Sequence, residues 1–242
     1  MCTVSWLHQD SGYRLFSNRD EKRARPRALP PEIQDRDGVL FVAPTDAESS
    51  GTWIATNEFG ISFCLLNGVP ERGEPGGKAF RSRGLIIPEL LVASSQMEAA
   101  ERAWSLDLTP FAPFTLVILE AGQHTTAFAW DGGEKLVIPY AEPYTPLSSS
   151  SYDPGGVQLR RQQEFRRLLT AAGELNAGLL FDFHRSHGDG PDAYSPCMHR
   201  NDAETVSFSS VRVTDEEIEF SYLPGAPCGR GPQETLKLAR TG

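Results

Sequence analysis

The sequence predicts an α+β protein that folds as a sandwich in one domain, residues 1–242. Three observations lead to this class. Runs in which apolar and polar residues alternate, as in half-buried strands, lie near both ends of the chain and in its middle. Helical periodicity is found only between those runs. Strand-like and helix-like segments do not alternate along the chain, so a parallel sheet with crossover helices is not expected.

The strand-like runs form neighbouring pairs, which predicts antiparallel hairpins. The first pair, Cys2 to His8 and Tyr13 to Asn18, flanks a polar turn that contains Gly12. The other runs are Thr52 to Thr56, Ile61 to Leu66, Phe114 to Leu119, Thr125 to Trp130, Thr205 to Val213 and Glu217 to Tyr222. Their short connections are typical of hairpins, so we expect a sheet of several antiparallel strands.

Apolar residues at helical spacing predict helices between the strands. The segments are Leu85 to Ala93, Gln96 to Trp104, Gly156 to Ala172 and Asn176 to His184. In the third segment, Leu159, Phe165 and Leu169 share one face among arginine and glutamine residues. Glycine, proline or serine is frequent from Glu71 to Lys78 and from Ala141 to Gly156, so both stretches are predicted to be long loops.

Composition and charge exclude several classes of protein. The chain carries 23 basic and 32 acidic side chains, a net charge of −9, which disfavours nucleic-acid binding. No run approaches the roughly 20 apolar residues that a membrane span needs. The N-terminal residues do not resemble a secretory signal, and the cysteines form no CxxC pair. We therefore expect a cytoplasmic protein with free thiols.

Cys2 is the first residue with evident chemistry. When the initiator Met1 is removed, Cys2 carries both a thiol and the free α-amine. Such an amine has a pKa of about 8 in model compounds, so it can accept the proton of its own thiol near neutral pH. The alternative is a small buried apolar residue at the start of a strand.

A polar tetrapeptide, residues 18–21, ends the second predicted strand, which is the hairpin neighbour of the Cys2 strand. Within it, Arg19 is a candidate to hold a thiolate or to orient a carboxylate. Asp20 is a candidate to position the α-ammonium group. The alternative is a solvated strand end with an ordinary surface ion pair.

Asn67 is a candidate for oxyanion stabilisation. It ends the apolar run Ile61 to Leu66, just before Gly68. A side-chain amide at such a position can point into a cleft and donate a hydrogen bond to a developing negative charge. The alternative is an asparagine that caps the turn.

These motifs together resemble the NRDE family, also called transport and Golgi organisation 2. The resemblance rests on Met1-Cys2-Thr3 with Trp6, Asn18-Arg19-Asp20-Glu21, Gly51-Thr52-Trp53, Leu66-Asn67 and the segment from Cys197 to Ser207. The resemblance covers almost the whole chain. It implies an N-terminal-nucleophile (Ntn) hydrolase-like fold, a four-layer αββα sandwich of antiparallel sheets. That fold is similar to the cholylglycine hydrolase, penicillin V acylase and acid ceramidase group.

The resemblance also implies roles for individual residues. Cys2 matches the nucleophile of those hydrolases, and Asn67 matches their oxyanion-hole asparagine. Arg19 and Asp20 match an arginine and an aspartate at the end of the second strand. Within the matched motifs, the candidates for substrate contact are Asn18, Glu21, Trp53, Ser149 and Arg200.

The tetrapeptide departs from the order in the hydrolases, where arginine comes first, then asparagine, a spacer and aspartate. Arg19 is therefore one position out of register. Neighbouring residues of a strand face opposite sides, so either a bulge returns Arg19 to the pocket or Asn18 and Glu21 take the two places. A later asparagine of the hydrolases falls in a run of serines that includes Ser149.

A second constellation has the residue types of a metal site. His184, His187, Cys197 and His199 offer four ligand atoms that suit zinc, and their imidazoles also suit haem iron. The spacing matches no standard zinc module, and ordinary structural polar groups are the alternative. No other cofactor is expected.

Two functions are therefore in competition. In the first, the protein is a cysteine-dependent hydrolase of carbon–nitrogen amide bonds that takes a small amide or acyl ligand. In the second, it is a non-catalytic protein that binds or traffics haem or an acyl lipid on the same scaffold. The second follows from the resemblance, because members of the family have been linked to haem trafficking.

Overall fold

The computed structural model describes residues 2–68, 80–140, 146–229 and 231–241. The strands are β1 Cys2–Gln9, β2 Gly12–Lys22, β3 Leu29–Arg36, β4 Val39–Thr45, β5 Ile54–Asn57, β6 Ser62–Asn67, β7 Phe114–Leu119, β8 Thr126–Trp130, β9 Lys135–Pro139, β10 Leu147–Ser149, β11 Ala203–Val213, β12 Glu217–Leu223 and β13 Glu234–Ala239. The α-helices are α1 Gln96–Ser105, α2 Pro154–Ala172 and α3 Ala177–Arg185. Met1 and the predicted loop from Glu71 to Lys78 lie outside the described residues.

The strands form two antiparallel sheets. The first has six strands in the order β10-β1-β2-β11-β12-β13, with the β1–β2 hairpin near its centre. The second has seven strands in the order β3 to β9, so its spatial order follows the chain. Such a meander needs only short connections between neighbours, which is what the predicted hairpins supply.

Three separate apolar clusters show how the layers stack. Residues such as Val4, Leu15 and Val117 meet between the two sheets. Phe165 and Phe183, on α2 and α3, pack with apolar residues of the first sheet on its outer face. A third cluster joins α1 to the outer face of the second sheet. The order is helices, sheet, sheet, helix, which confirms the predicted four-layer αββα sandwich.

The sequence-based strands are confirmed, with boundaries that shift by a few residues. The predicted loop from Ala141 to Gly156 needs correction, because its described part contains β10 and the start of α2. β10 has three residues, too few for an alternating pattern, and it is held by pairing with β1.

The predicted helix from Leu85 to Ala93 is wrong. The segment instead contains two 3₁₀ turns, Arg83–Leu85 and Ile87–Glu89. Its backbone closes short-range bonds, such as Leu90 N–H to the Ile87 carbonyl at 2.9 Å. Pro88 lacks an N–H group and disfavours a continuous α-helix through this point. The apolar residues are nevertheless buried against the second sheet, so the periodicity correctly predicted burial but not helix type.

Helices α2 and α3 begin at sequence-encoded caps. Asp153 accepts a hydrogen bond from the Gly156 N–H at 3.0 Å at the start of α2, and Pro154 follows it. Asn176 accepts one from the Leu179 N–H at 2.9 Å at the start of α3. Among the described residues, no helix has the length and apolar character that crossing a membrane requires.

Candidate active site

A cavity of about 430 Å³ opens where β1 begins and where β2 and β6 end. Its lining includes six of the residues singled out from the sequence: Cys2, Arg19, Asp20, Glu21, Trp53 and Asn67. Most of the lining is polar or charged, with several arginine and carboxylate side chains. The sequence motifs, which are up to 65 positions apart, therefore converge on one cavity.

Cys2 begins β1 in the middle of a three-strand arrangement. It pairs with Arg19 of β2 on one side and with Ser149 of β10 on the other. Its backbone N–H donates to Ser149 Oγ at 3.1 Å. The residue is 5% exposed, and this burial raises the pKa of the Cys2 thiol, with a smaller opposing effect from Arg19. The thiol is thus protonated at neutral pH unless a base takes its proton.

Arg19 lies directly opposite Cys2 in the hairpin. Its Nη2 atom is 2.5 Å from Asp46 Oδ2 and 3.8 Å from Glu21 Oε2. The guanidinium carbon lies 4.2 Å from the centroid of the Trp53 ring, a cation–π distance. These contacts fix a positive charge at the cavity wall beside the Cys2 strand.

Asp46 anchors the cationic side of the cavity. Its Oδ1 accepts from Arg25 Nη2 at 3.0 Å and from the Ser49 N–H at 3.0 Å. Burial by itself would raise the pKa of Asp46, but the hydrogen bonds from Arg25 and Ser49 and the charge of Arg19 lower it to about 2. Asp46 is therefore ionised at neutral pH and balances the two arginines.

The remaining two residues of the tetrapeptide project to the helical side of the sheet. Asn18 is fully buried and donates to the carbonyls of His184 and Pro196, both at 2.8 Å. Asp20 borders the cavity, but its carboxylate lies 3.2 Å from Arg161 Nη2 and accepts from Thr205 Oγ1 at 2.6 Å. These contacts hold the strand against α2, α3 and β11.

This geometry combines the two alternatives that the sequence left open. Arg19 and Glu21 line the cavity together and Asp20 borders it, while the Asn18 side chain turns away. The register shift lies in β11, between Thr205 and Ser207, and the β1–β2 pairing is regular. Arg19 therefore reaches the cavity by ordinary strand alternation, without a bulge in its own hairpin.

Asn67 stands between two cavities. It lines the Cys2 cavity and also a neighbouring one of about 460 Å³, which Ser149 lines as well. Among the described residues, no hydrogen bond to the Asn67 amide is found, and the side chain is half-buried. An amide placed this way is available to donate to a ligand that spans the two cavities.

Arg83, which no sequence motif singled out, belongs to the first 3₁₀ turn and lines the cavity. Its Nη1 donates to the carbonyls of Gly68 at 3.1 Å and Pro113 at 2.9 Å. Close approach of two glycines brings the turn here, because a Cβ on Gly51 would lie 2.4 Å from the carbonyl carbon of Gly84. Burial lowers the pKa of Arg83.

Two predicted residues lie away from the cavity. Arg200 forms an ion pair with Asp202 at 2.7 Å and stacks over the Tyr152 ring at 4.6 Å. His184 is fully buried, with its Nε2 2.8 Å from Ser5 Oγ. The other predicted metal ligands, His187, Cys197 and His199, lie together, and Cys228 takes the fourth position in that group.

Several solved structures have a similar architecture. A Caenorhabditis elegans orthologue of N-acylethanolamine-hydrolyzing acid amidase is similar with a TM-score of 0.60 at 12% identity, covering 87% of this chain and 92% of its own. Penicillin V acylase from Agrobacterium tumefaciens has a TM-score of 0.53 at 10% identity, covering 93% of this chain and 83% of its own. A variant of the conjugated bile acid hydrolase from Clostridium perfringens has a TM-score of 0.54 at 11% identity, covering 99% of this chain and 98% of its own.

At such low identity the similarity concerns the fold, and it confirms that the protein has an Ntn-hydrolase fold. The family model described as Transport and Golgi organisation 2 matches residues 1–200. The chain belongs to this family, which confirms the resemblance read from its motifs. Among curated proteins, none matches the sequence.

Proposed function

We propose that the protein hydrolyses carbon–nitrogen amide bonds, with Cys2 as an N-terminal nucleophile. One observation carries the proposal: the residue that would bear both thiol and amine begins the strand at the cavity wall, with Arg19 opposite it and Asn67 in the same lining. The known proteins named above with this fold act on amide or acyl substrates according to their names, which supports the same reaction class here.

The first step needs a base close to the thiol. Because burial raises the pKa of the Cys2 thiol, little thiolate exists before the substrate binds. After removal of Met1, the α-amine of Cys2 lies at the position whose N–H now donates to Ser149 Oγ. Ser149 holds that amine in place, and the amine accepts the proton as sulfur attacks the carbonyl carbon.

Acyl transfer then follows in two stages. Attack forms a carbon–sulfur bond and a tetrahedral oxyanion, to which the Asn67 amide donates. The carbon–nitrogen bond breaks as the α-ammonium returns its proton to the leaving amine, which leaves a thioester on Cys2. Water then gives a proton to the α-amine and attacks the thioester. The carboxylic acid departs, and the sulfur regains its proton.

Arg19 contributes fixed positive charge. Its contacts with Asp46 and Trp53 prevent the guanidinium from reorienting, so its field acts on the transition state without a reorganisation cost. Glu21, 3.8 Å from Arg19, faces the same cavity and is placed to contact a polar part of the substrate. Asp20 acts through the strand, as a positioning residue.

Non-catalytic binding of haem or an acyl lipid is the competing function. Haem pockets are largely apolar and offer a histidine or cysteine to the iron. The lining of the cavity is mainly polar or charged, and among the described residues it offers one such ligand, Cys2. The chemistry of the lining therefore favours a small polar amide substrate. We also propose a cytoplasmic location, which the free thiols of the structure support.

Turnover of a panel of N-acyl amides by purified protein tests the proposal. Intact mass would first establish that Met1 is absent. Release of free amine is then compared among the parent, Cys2→Ala and Cys64→Ala, the last being a buried cysteine outside the cavity lining. We expect turnover by the parent and Cys64→Ala and none by Cys2→Ala. Absence of turnover with every amide, together with a stoichiometric haem absorbance shift, would instead support the binding function.

A further inference from the structure

Two histidines and two cysteines outside the cavity bring their ligand atoms together. The atoms come from His187, Cys197, His199 and Cys228, and all lie within 4.8 Å of one another. We propose that these four side chains form a closed, tetrahedral structural site for a zinc ion. The site is separate from the cavity that Cys2 lines and does not rest on the proposed hydrolysis.

Two distances between the ligand atoms match the edge of a zinc tetrahedron. Zinc–sulfur and zinc–nitrogen bonds of about 2.3 and 2.0 Å at a tetrahedral angle place sulfur and nitrogen about 3.5 Å apart. His199 Nε2 lies 3.6 Å from Cys197 Sγ and 3.4 Å from Cys228 Sγ. Both distances fit the expected edge, and the other pairs of ligand atoms lie within 4.8 Å of each other.

His187 supplies an independent observation. Its Nε2 atom is shielded from solvent and has no hydrogen-bond partner among the described residues. A buried imidazole nitrogen without a partner costs free energy in an otherwise well-bonded protein. The His187 ring lies 5.0 Å from the His199 ring, centroid to centroid. A shared ion between the rings would satisfy this nitrogen.

The chemistry of the ligands also suits a metal. Zinc would deprotonate both thiols, and two thiolates balance its charge. Cys2His2 is an established ligand set for structural zinc.

The four proposed ligands lie in two connections of the fold, one between α3 and β11 and one between β12 and β13. The loop that follows α3 is tied by Cys197 N–H to the Ser186 carbonyl at 3.0 Å. The Met198 N–H donates to Thr205 Oγ1 at 2.8 Å, and the Thr205 N–H donates to the Met198 carbonyl at 2.9 Å. The Thr205 hydroxyl also donates to Asp20. Cys228 comes from the connection between β12 and β13. A zinc ion would therefore clamp two distant connections beside the strand that carries Arg19.

The same geometry argues against haem at this place. Four ligand atoms within 4.8 Å leave no room for a porphyrin between them. A disulfide between Cys197 and Cys228 would satisfy the sulfurs but would leave His187 Nε2 without a partner. A bare ion accounts for all four side chains.

Elemental analysis of untagged protein, purified under reducing conditions, tests the site. We expect about one zinc per chain in the parent and in the control Cys64→Ser, and at least about tenfold less in Cys197→Ser/Cys228→Ser. Cobalt added to chelated parent protein should give the intense visible bands of tetrahedral thiolate coordination. These bands need no activity and report the ligand set directly.

Chelation of the parent protein keeps the test independent of the folding of the variants. Removal of zinc should lower the Tm of the parent, and added zinc should restore it. Less than about a tenth of an equivalent of zinc, with no cobalt bands after reduction, would overturn the proposal. A Cys197–Cys228 disulfide found by peptide mapping of freshly isolated protein would overturn it as well.

Discussion

Arg19 lies opposite Cys2 in the β1–β2 pairing, and its guanidinium is held 2.5 Å from Asp46. Residues of one strand therefore serve two purposes. Arg19 and Glu21 have side chains that face the cavity, where they place charged groups near Cys2, the candidate nucleophile. Those that alternate the other way, such as Asp20, fasten the strand to the helical layer.

Replacing Asp46 with asparagine should lower stability, because Arg19 and Arg25 would lose their shared carboxylate. We expect the free energy of unfolding to fall by about 1–3 kcal/mol, measured by urea denaturation. Glu48→Gln is the matched control, since Glu48 also lies 3.0 Å from Arg25 but is 49% exposed, and it should cost less than about 1 kcal/mol. Equal costs for the two variants would contradict the anchoring role of Asp46.

Asp20 and Arg161 form a fully buried ion pair, 3.2 Å apart, and Arg161 also contacts Thr3. Removing one partner leaves an uncompensated buried charge, so Asp20→Asn and Arg161→Met should each cost about 3–5 kcal/mol in unfolding free energy. The double variant should cost less than the sum of the two. Arg36→Gln, which breaks an exposed pair with Glu89, is the control and should cost at most about 1 kcal/mol. Strict additivity would show that the two side chains do not interact.

Asn67→Ala tests oxyanion stabilisation. If the Asn67 amide donates to the developing oxyanion, its loss should lower kcat by about 10²- to 10³-fold with little change in KM. Asn201→Ala, an exposed asparagine outside the cavity lining, should leave both constants unchanged. Steady-state kinetics on the best amide substrate measures both. A rise in KM alone would assign Asn67 to ground-state binding instead.

His184 should make stability depend on pH. Burial, with a smaller effect of Arg161, lowers the pKa of His184 to about 3, whereas an unfolded histidine has about 6.5. Between these values the unfolded chain binds a proton that the folded chain does not. Stability contributed by the neutral ring is therefore present above pH 6.5 and is lost as the pH falls, by at most about 1.4 kcal/mol per pH unit.

His184→Gln should flatten this slope between about pH 6 and 4, even though the variant is less stable throughout. His124→Gln is the control, because His124 is exposed, and it should keep the slope of the parent. Urea unfolding at several pH values gives the comparison. An unchanged slope in His184→Gln would show that other groups cause the dependence.

Local patterns predicted the hairpins because strand alternation and turn residues are both encoded within a few positions. The exposed edge strands β3 and β9 escaped prediction, since few of their residues are buried and the pattern is weak. The segment from Leu85 to Ala93 has the apolar spacing of a helix, but Pro88 and contact with the second sheet decide its form.

The residues of the candidate site were also predicted only in part. Cys2, Arg19 and Asn67 were found because they belong to motifs, although their catalytic roles stay predictions. Which residues of the tetrapeptide face the cavity depends on strand register, and a one-residue slip reverses the answer. Asp46 and Arg83 carry no local signal, because tertiary packing of a loop and a 3₁₀ turn brings them to the cavity.

The central claim, that Cys2 carries the acyl group during turnover, is tested most directly by rapid acid quenching during reaction with an N-acyl amide, followed by peptide mapping. We expect an acyl thioester on a peptide that begins with Cys2, absent from Cys2→Ala and unaffected in Cys64→Ala. Amine release without any adduct on Cys2, or undiminished release by Cys2→Ala, would contradict it.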